Sequence, residues 1–278
     1  YDDWYADVSD VAATVACIAE LAGLPGDGRA GDGRAGNGRA GNGRAGDGPM
    51  LELGVGTGRL ALPLAERGLV VHGIDASTAM LDRLQDKDPD GSVVVHVGDM
   101  VDDLPPGPFA VALVAYNTLF NLTGDGRQAA CFAAVADRLM PGGRFVVEAF
   151  APDVPDEPDE PDEPLHAGGH PTSRTDDRAD GRVDDRVTVR SLTTDRVVLS
   201  VSVDRPHDRI AEGQFVELSV DGGVRMRPWM VRYATPDELD AMAAHAGFEL
   251  EHRWRTFAER SWDPDDDRHV SIYRLVRS

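Results

Sequence analysis

Lysine is almost missing from this chain: Lys87 is the only one, and every other basic side chain that is not histidine is arginine. Positive charge is scarce altogether, with 28 Lys+Arg against 49 Asp+Glu in 278 residues and a formal net charge of −21. A surface of that sign argues against nucleic acid as a partner, because phosphate binding wants a basic face. It suits solubility and a neutral or cationic small molecule. No apolar run approaches the roughly 20 residues that a bilayer span needs, so no membrane partner is expected. The two cysteines, Cys17 and Cys131, sit on Ala-rich, helix-like stretches and make no disulfide framework. The start shows no charged-then-apolar leader, so a cytoplasmic location is the default expectation. Aromatics are few at 6%, yet the 41% hydrophobic fraction is enough to fill a core. The length fits one large domain or one domain with an insertion.

Along the chain the texture changes several times. Val8, Val11, Val15, Ile18 and Leu21 recur at helical spacing and predict an amphipathic helix over 8–24. A Gly-Asp/Asn-Gly-Arg-Ala repeat follows at 26–48; it holds no apolar residue larger than Ala and reads as a low-complexity surface loop. From 49 to 150, short Val-rich strands (49–53, 69–74, 93–97, 109–116, 143–149) alternate with helices (57–67, 77–86, 125–139). The last helix is expected to stop at Pro141-Gly142-Gly143. Such alternation predicts a doubly wound, mostly parallel sheet. Residues 151–186 repeat Pro-Asp-Glu and read as an acidic, Pro-rich disordered loop; His166 and His170 within it are too weak a pair to assign a metal. Strands at 187–191, 196–203, 214–220 and 224–233, separated by turn signals, form an antiparallel section. A helix at 236–246 and strands at 248–256 and 269–276 close the chain, so that 234–278 completes the core sheet.

The chemistry concentrates at the ends of the predicted strands. Glu52-Leu53-Gly54-Val55-Gly56-Thr57-Gly58-Arg59 is a glycine-rich turn between the first strand and a helix, where a Cβ would keep the backbone away from a ligand. A dinucleotide fingerprint would place its third glycine where Arg59 stands, so the turn does not match a pyrophosphate cradle. The second strand ends at Ile74-Asp75-Ala76, with a carboxylate placed to accept hydrogen bonds from ribose hydroxyls. Gly98-Asp99-Met100 follows the third strand, and Ala115-Tyr116-Asn117-Thr118-Leu119-Phe120 the fourth. All open on the crevice where α/β sheets bind ligands. Three aromatics, Tyr1, Trp4 and Tyr5, crowd the first five residues.

Taken together, these motifs resemble the class I S-adenosylmethionine (SAM)-dependent methyltransferases, over about residues 1–24, 49–150 and 235–278. The resemblance implies a seven-stranded, mostly parallel Rossmann-like sheet with an antiparallel β insertion after the fifth strand, similar to that of sugar-amine and glycine-type N-methyltransferases. It implies SAM as cofactor, approached by Gly54, Gly56 and Gly58 and held at the ribose by Asp75 beside Ala76. Asp99 and Met100 would hold the adenine. Glu52, Tyr116, Asn117 and Tyr1 would contact the methionine portion or order the loops around it. The insertion, 187–233, would form a lid in which Arg227, Trp229 and Tyr233, with Trp4 and Phe120, line the acceptor site. Residues 1–25 would supply an aromatic flap and a helix. Tyr5 and Glu148 are the candidates to position or deprotonate an acceptor. A nitrogen or oxygen of a small molecule is the expected acceptor, and a homodimer is compatible with the pattern. A nicotinamide-dependent oxidoreductase and a non-catalytic cofactor-binding protein stand as the alternatives.

Overall fold

The computed structural model describes residues 10–24, 48–152 and 184–276. The expectations for Tyr1, Trp4, Tyr5, the Gly-rich repeat, His166, His170 and most of the acidic stretch lie outside those residues. The described chain forms two compact units, one drawn from residues up to 151 and from 236 onward, the other from 184–235.

In the first unit, seven strands make one sheet in the order β10-β11-β5-β4-β1-β2-β3. The strands are β1 (Met50–Leu53), β2 (Val71–Asp75), β3 (Val93–Val97), β4 (Phe109–Val114), β5 (Leu139–Phe150), β10 (Phe248–Trp254) and β11 (Arg268–Leu275). β1 pairs in parallel with both β2 and β4, and β11 runs antiparallel to both β5 and β10. The strand order reverses beside β1, so the carboxyl ends of β1 and β4 flank the switch point where a ligand crevice forms. All residues of β1 and β4 are buried, as strands covered on both faces must be.

Helix α1 (Val11–Leu21) starts where Asp10 accepts the Ala13 N–H at 3.0 Å, and it buries Val15 and Ile18. It is shorter than the predicted 8–24, ending before Gly23 at φ 85°. α2 (Ala61–Glu66), α3 (Thr78–Lys87), α4 (Arg127–Ala136) and α5 (Pro236–His245) follow. Two expectations need correction. α2 begins at Ala61 and not at 57, because Gly56 and Gly58 take left-handed φ and keep the chain in a turn. α4 ends at Ala136, and Pro141-Gly142-Gly143 lies inside β5, where the register against β4 jumps from Phe109↔Leu139 to Val111↔Arg144. A Cβ on Gly143 would stand 3.1 Å from the Ala110 carbonyl oxygen, so the glycine permits the irregular pairing.

The second unit is a four-stranded antiparallel sheet, β6 (Asp184–Leu192), β7 (Arg196–Arg205), β8 (Ile210–Ser219) and β9 (Gly223–Arg232), in simple sequential order. No helix among the described residues is long and apolar enough to cross a membrane.

Candidate active site

The glycine turn after β1 is anchored on β2. The Gly54 and Val55 N–H groups both donate to the Ile74 carbonyl, at 2.8 and 3.1 Å. Asp75 holds the turn from above: one carboxylate oxygen accepts the Gly56 N–H at 2.9 Å, and the other accepts the Ser77 N–H at 2.8 Å. The Lys87 ammonium, at the last turn of α3, donates to the Thr57 carbonyl at 3.2 Å. The three glycines differ in what they allow. A Cβ on Gly58 would meet Leu84 at 2.9 Å, which makes it a close-packing glycine. A Cβ on Gly56 would meet no neighbour nearer than 3.9 Å, so this stretch of backbone lies against open space.

Glu52 is the site's most unusual group. It sits near the carboxyl end of β1 at 4% exposure, and its Oε2 has no hydrogen-bond partner. Burial pushes its carboxyl up to about 8; the Arg59 charge pulls it down, and the Asp75 charge pushes it up. Arg59, read in the sequence only as a departure from a dinucleotide fingerprint, is thus the cation that faces the buried carboxylates. It also acts on Glu148.

Beyond β4 the chain turns through Tyr116 and Asn117, both at left-handed φ (46° and 62°). For side chains other than glycine that conformation persists only when surrounding contacts hold it. Here the end of β5 does so. Glu148 Oε2 accepts the Tyr116 N–H at 3.0 Å, the Glu148 carbonyl accepts the Asn117 N–H at 3.0 Å, and Asn117 Oδ1 accepts the Phe150 N–H at 2.7 Å. Burial raises the Glu148 carboxyl, while the Tyr116 N–H and the charges of Arg59 and Arg268 pull it down. Glu148 therefore props the turn with one of its two carboxyl oxygens. Phe120, expected to line an acceptor site, is fully buried and packs edge-on against Phe150, with centroids 5.1 Å apart. It offers no surface to an acceptor in this structure.

After β3, Asp99 Oδ1 accepts the Val101 and Asp102 N–H groups at 2.8 and 3.2 Å and pairs with Arg127 at 2.5 Å. Partial burial raises its carboxyl, but those backbone donors and the Arg127 guanidinium outweigh burial and hold it below the usual range. The loop carrying Asp99 and Met100 is thereby set in shape. The crevice thus brings together Glu52, Gly54, Gly56, Gly58, Asp75, Tyr116, Asn117 and Glu148 around the ends of adjacent strands. Ala76 follows directly on β2, between the two hydrogen-bonded residues Asp75 and Ser77.

The remaining candidates belong to the second unit. Trp229 packs on Phe215 with centroids 6.0 Å apart, and its indole N–H is buried without a partner. Tyr233 is buried and donates its hydroxyl to Asp204 at 2.9 Å. Arg227 is half-buried on the face of the sheet that carries Trp229.

Residues 50–143 match the family described as methyltransferase domain. The structure resembles the CcbJ methyltransferase from Streptomyces caelestis at 35% identity and a TM-score of 0.69, covering 83% of this chain and 84% of that one. It also resembles the SAM-bound amino pentose methyltransferase of calicheamicin biosynthesis from Micromonospora echinaspora, at 22% identity and TM-score 0.55, over 82% and 84% of the two chains. In sequence the chain is 29% identical over 203 residues to the cypemycin N-terminal methyltransferase of a Streptomyces species, 72% of each. The chain belongs to the class I SAM-dependent methyltransferases, and SAM is its cofactor. The oxidoreductase alternative finds no support among these relatives.

The residues fit that cofactor. SAM carries a cationic amino group, and the unpartnered, buried Glu52 oxygen is the acceptor such a cation would satisfy. The open backbone at Gly56 leaves room for a ligand to lie against it.

Proposed function

We propose that this enzyme methylates a nitrogen or oxygen of a small molecule. The observation that carries the reading is the orphaned Glu52 carboxylate at the switch point, next to an open glycine turn and the doubly anchored Asp75. The acceptor class is supported by the names of the relatives, an N-terminal methyltransferase of cypemycin and an amino pentose methyltransferase among them.

In this reading Glu52 holds the amino group of SAM, and Asp75 receives the ribose hydroxyls on the outer lone pairs of oxygens whose inner ones already bind Gly56 and Ser77. Asp99 and Met100 flank the adenine, and Tyr116 and Asn117 face the methionine portion. When bound, SAM supplies an activated methyl group on a sulfonium, so the protein's work is positioning and exclusion of water. Glu148 acts as a positioning residue through the Tyr116 N–H, not as the proton acceptor. Arg227, Trp229 and Tyr233 stay assigned to acceptor recognition, and Tyr1, Trp4 and Tyr5 to the flap.

The test is calorimetric titration with SAM and with a nicotinamide dinucleotide, followed by incubation of the SAM-loaded enzyme with a panel of amino sugars, hydroxylated sugars and short peptides. Binding of SAM alone and a one-methyl mass gain on a panel member carries the reading. Methylation confined to nucleic acid or to folded proteins defeats it.

A further inference from the structure

Strands β10 and β11 share a polar network that the reading above leaves unused. Arg253, on β10, donates its Nε–H to the Ser271 hydroxyl oxygen at 2.9 Å and pairs with Asp240 of α5. The Tyr273 hydroxyl donates to the same Asp240 oxygen at 2.8 Å. His269 ends the network. Its Nδ1 lies 2.9 Å from the Ser271 oxygen, the residue is 0% exposed, and its Nε2 has no hydrogen-bond partner. Fully buried polar groups are almost always paired, so an unmet one calls for a function. A second unmet donor sits on the same hairpin: the buried indole N–H of Trp262, whose ring lies 5.1 Å from the Arg253 guanidinium.

We infer that His269 recognises the molecule to be methylated: its Nε2–H donates to a hydroxyl or carbonyl oxygen of that molecule. The enzyme then selects acceptors that carry such an oxygen besides the atom that takes the methyl group. This rests on the small-molecule reading above. His269 stands at the crevice end of the sheet, since β11 runs antiparallel to β5 and His269 pairs with Ala149, between Glu148 and Phe150. The charge of the preceding residue, Arg268, reaches Glu148. Ser271 lies two residues deeper on the same face. Nδ1 is turned toward it, so Nε2, across the ring, is turned toward the carboxyl end of β5. Ser271 already accepts from Arg253, which leaves its own hydrogen for Nδ1 and places the ring proton on Nε2. Burial and the Arg253 charge push the ring down to about 3, so it stays neutral and serves as a hydrogen-bond donor, not as a base. Two N–H donors beside a fixed guanidinium suit an oxygen and repel an ammonium.

Steady-state kinetics of the full chain test this with two variants. His269→Asn keeps a partner for Ser271 but lacks the Nε2 donor, and His269→Gln keeps an amide N–H near the Nε2 position. The probes are the amino sugars and hydroxylated sugars that the parent methylates, each beside its singly deoxygenated analogues. His269→Asn should raise the acceptor KM about 10-fold or more and leave SAM affinity within about 2-fold, and His269→Gln should recover most of that loss. One deoxygenated analogue should cost the parent about 10-fold, and His269→Asn should no longer distinguish it from the full acceptor. Nitrogen-15 NMR of the histidine-labelled parent, assigned with His269→Gln, should show a neutral ring protonated on Nε2 between about pH 5 and 8. A ring protonated on Nδ1, equal losses in both variants, or a deoxygenation loss that His269→Asn preserves overturns the inference and leaves the small-molecule reading standing. A parent that methylates no panel member overturns that reading and this inference with it. If His269→Asn fails to fold, His269→Leu takes its place.

Discussion

The two sheets of this protein are built on different rules. The central strands β1 and β4 of the seven-stranded sheet are buried on both faces, and its carboxyl ends gather glycines and acids that bond to backbone N–H groups across neighbouring strands. The four-stranded sheet has one face that carries Phe215 and Trp229 and another that is mostly aliphatic, and its side-chain polar bonds, such as Tyr233 to Asp204, tie strands of that sheet together. The difference teaches where each kind of recognition resides. A cofactor of constant structure is met by a rigid crevice whose donors and acceptors are set before binding. On the proposed function, the antiparallel sheet is free of that duty and would serve the acceptor instead.

The sharpest way to break this comparison is a matched pair of substitutions. Asp75→Ala should weaken SAM binding by about 1.5–3 kcal/mol, roughly 10- to 100-fold, because charge-assisted bonds to ribose and the brace on Gly56 are lost together. Trp229→Ala should leave SAM affinity within about 2-fold and act on the Michaelis constant of the acceptor instead. Calorimetry on both would sink the division of labour if the two effects were alike.

Next in size is Glu52. In the free protein its carboxyl stays protonated up to about pH 8. A bound cation favours the ionised form, so SAM binding should release a proton and tighten as pH rises toward that value. The stability effect has the opposite sign. The folded state holds a proton that the unfolded chain gives up above its ordinary value of 4.5, so stability falls as pH climbs from there to about 8. Glu52→Gln should lose about 10-fold in affinity and flatten both pH dependences. Melting curves and titrations in buffers of different ionisation heat would check this, and an unchanged proton release would remove Glu52 from the site.

The smallest effect is expected at Glu148. Glu148→Gln keeps an oxygen for the Tyr116 N–H, so turnover should stay within about 3-fold, whereas Glu148→Ala should cost about 10-fold by freeing the strained turn. Equal, large losses in both variants, with a shifted pH–rate profile, would make Glu148 a proton acceptor after all.

Much of the crevice was legible in the sequence because its chemistry is local. Gly54 to Gly58 and Asp75 announce themselves by turn composition and by their place at strand ends, and strand–helix alternation predicted the sheet. What was not legible depends on pairs far apart in sequence. Nothing near Asn117 reveals that its side chain will bond to Phe150, or that Glu148 will prop Tyr116. Phe120 looked available beside a crevice, yet the neighbouring Phe150 ring buries it. Pro141-Gly142-Gly143 carries every mark of a helix stop, and only the facing Ala110 backbone turns it into an irregular stretch of strand. In the second sheet, the turn signals predicted antiparallel strands but not which side chains would share a face, which the register sets.

One detail of the crevice has practical worth. The only lysine of the chain is the one whose ammonium reaches the Thr57 carbonyl in the glycine turn. The chain thus carries its lone side-chain amine beside the glycine turn. An amine-directed fluorophore, applied with the α-amine blocked, would report from that one position. Ligand occupancy could then be followed optically without engineering a cysteine or removing competing sites.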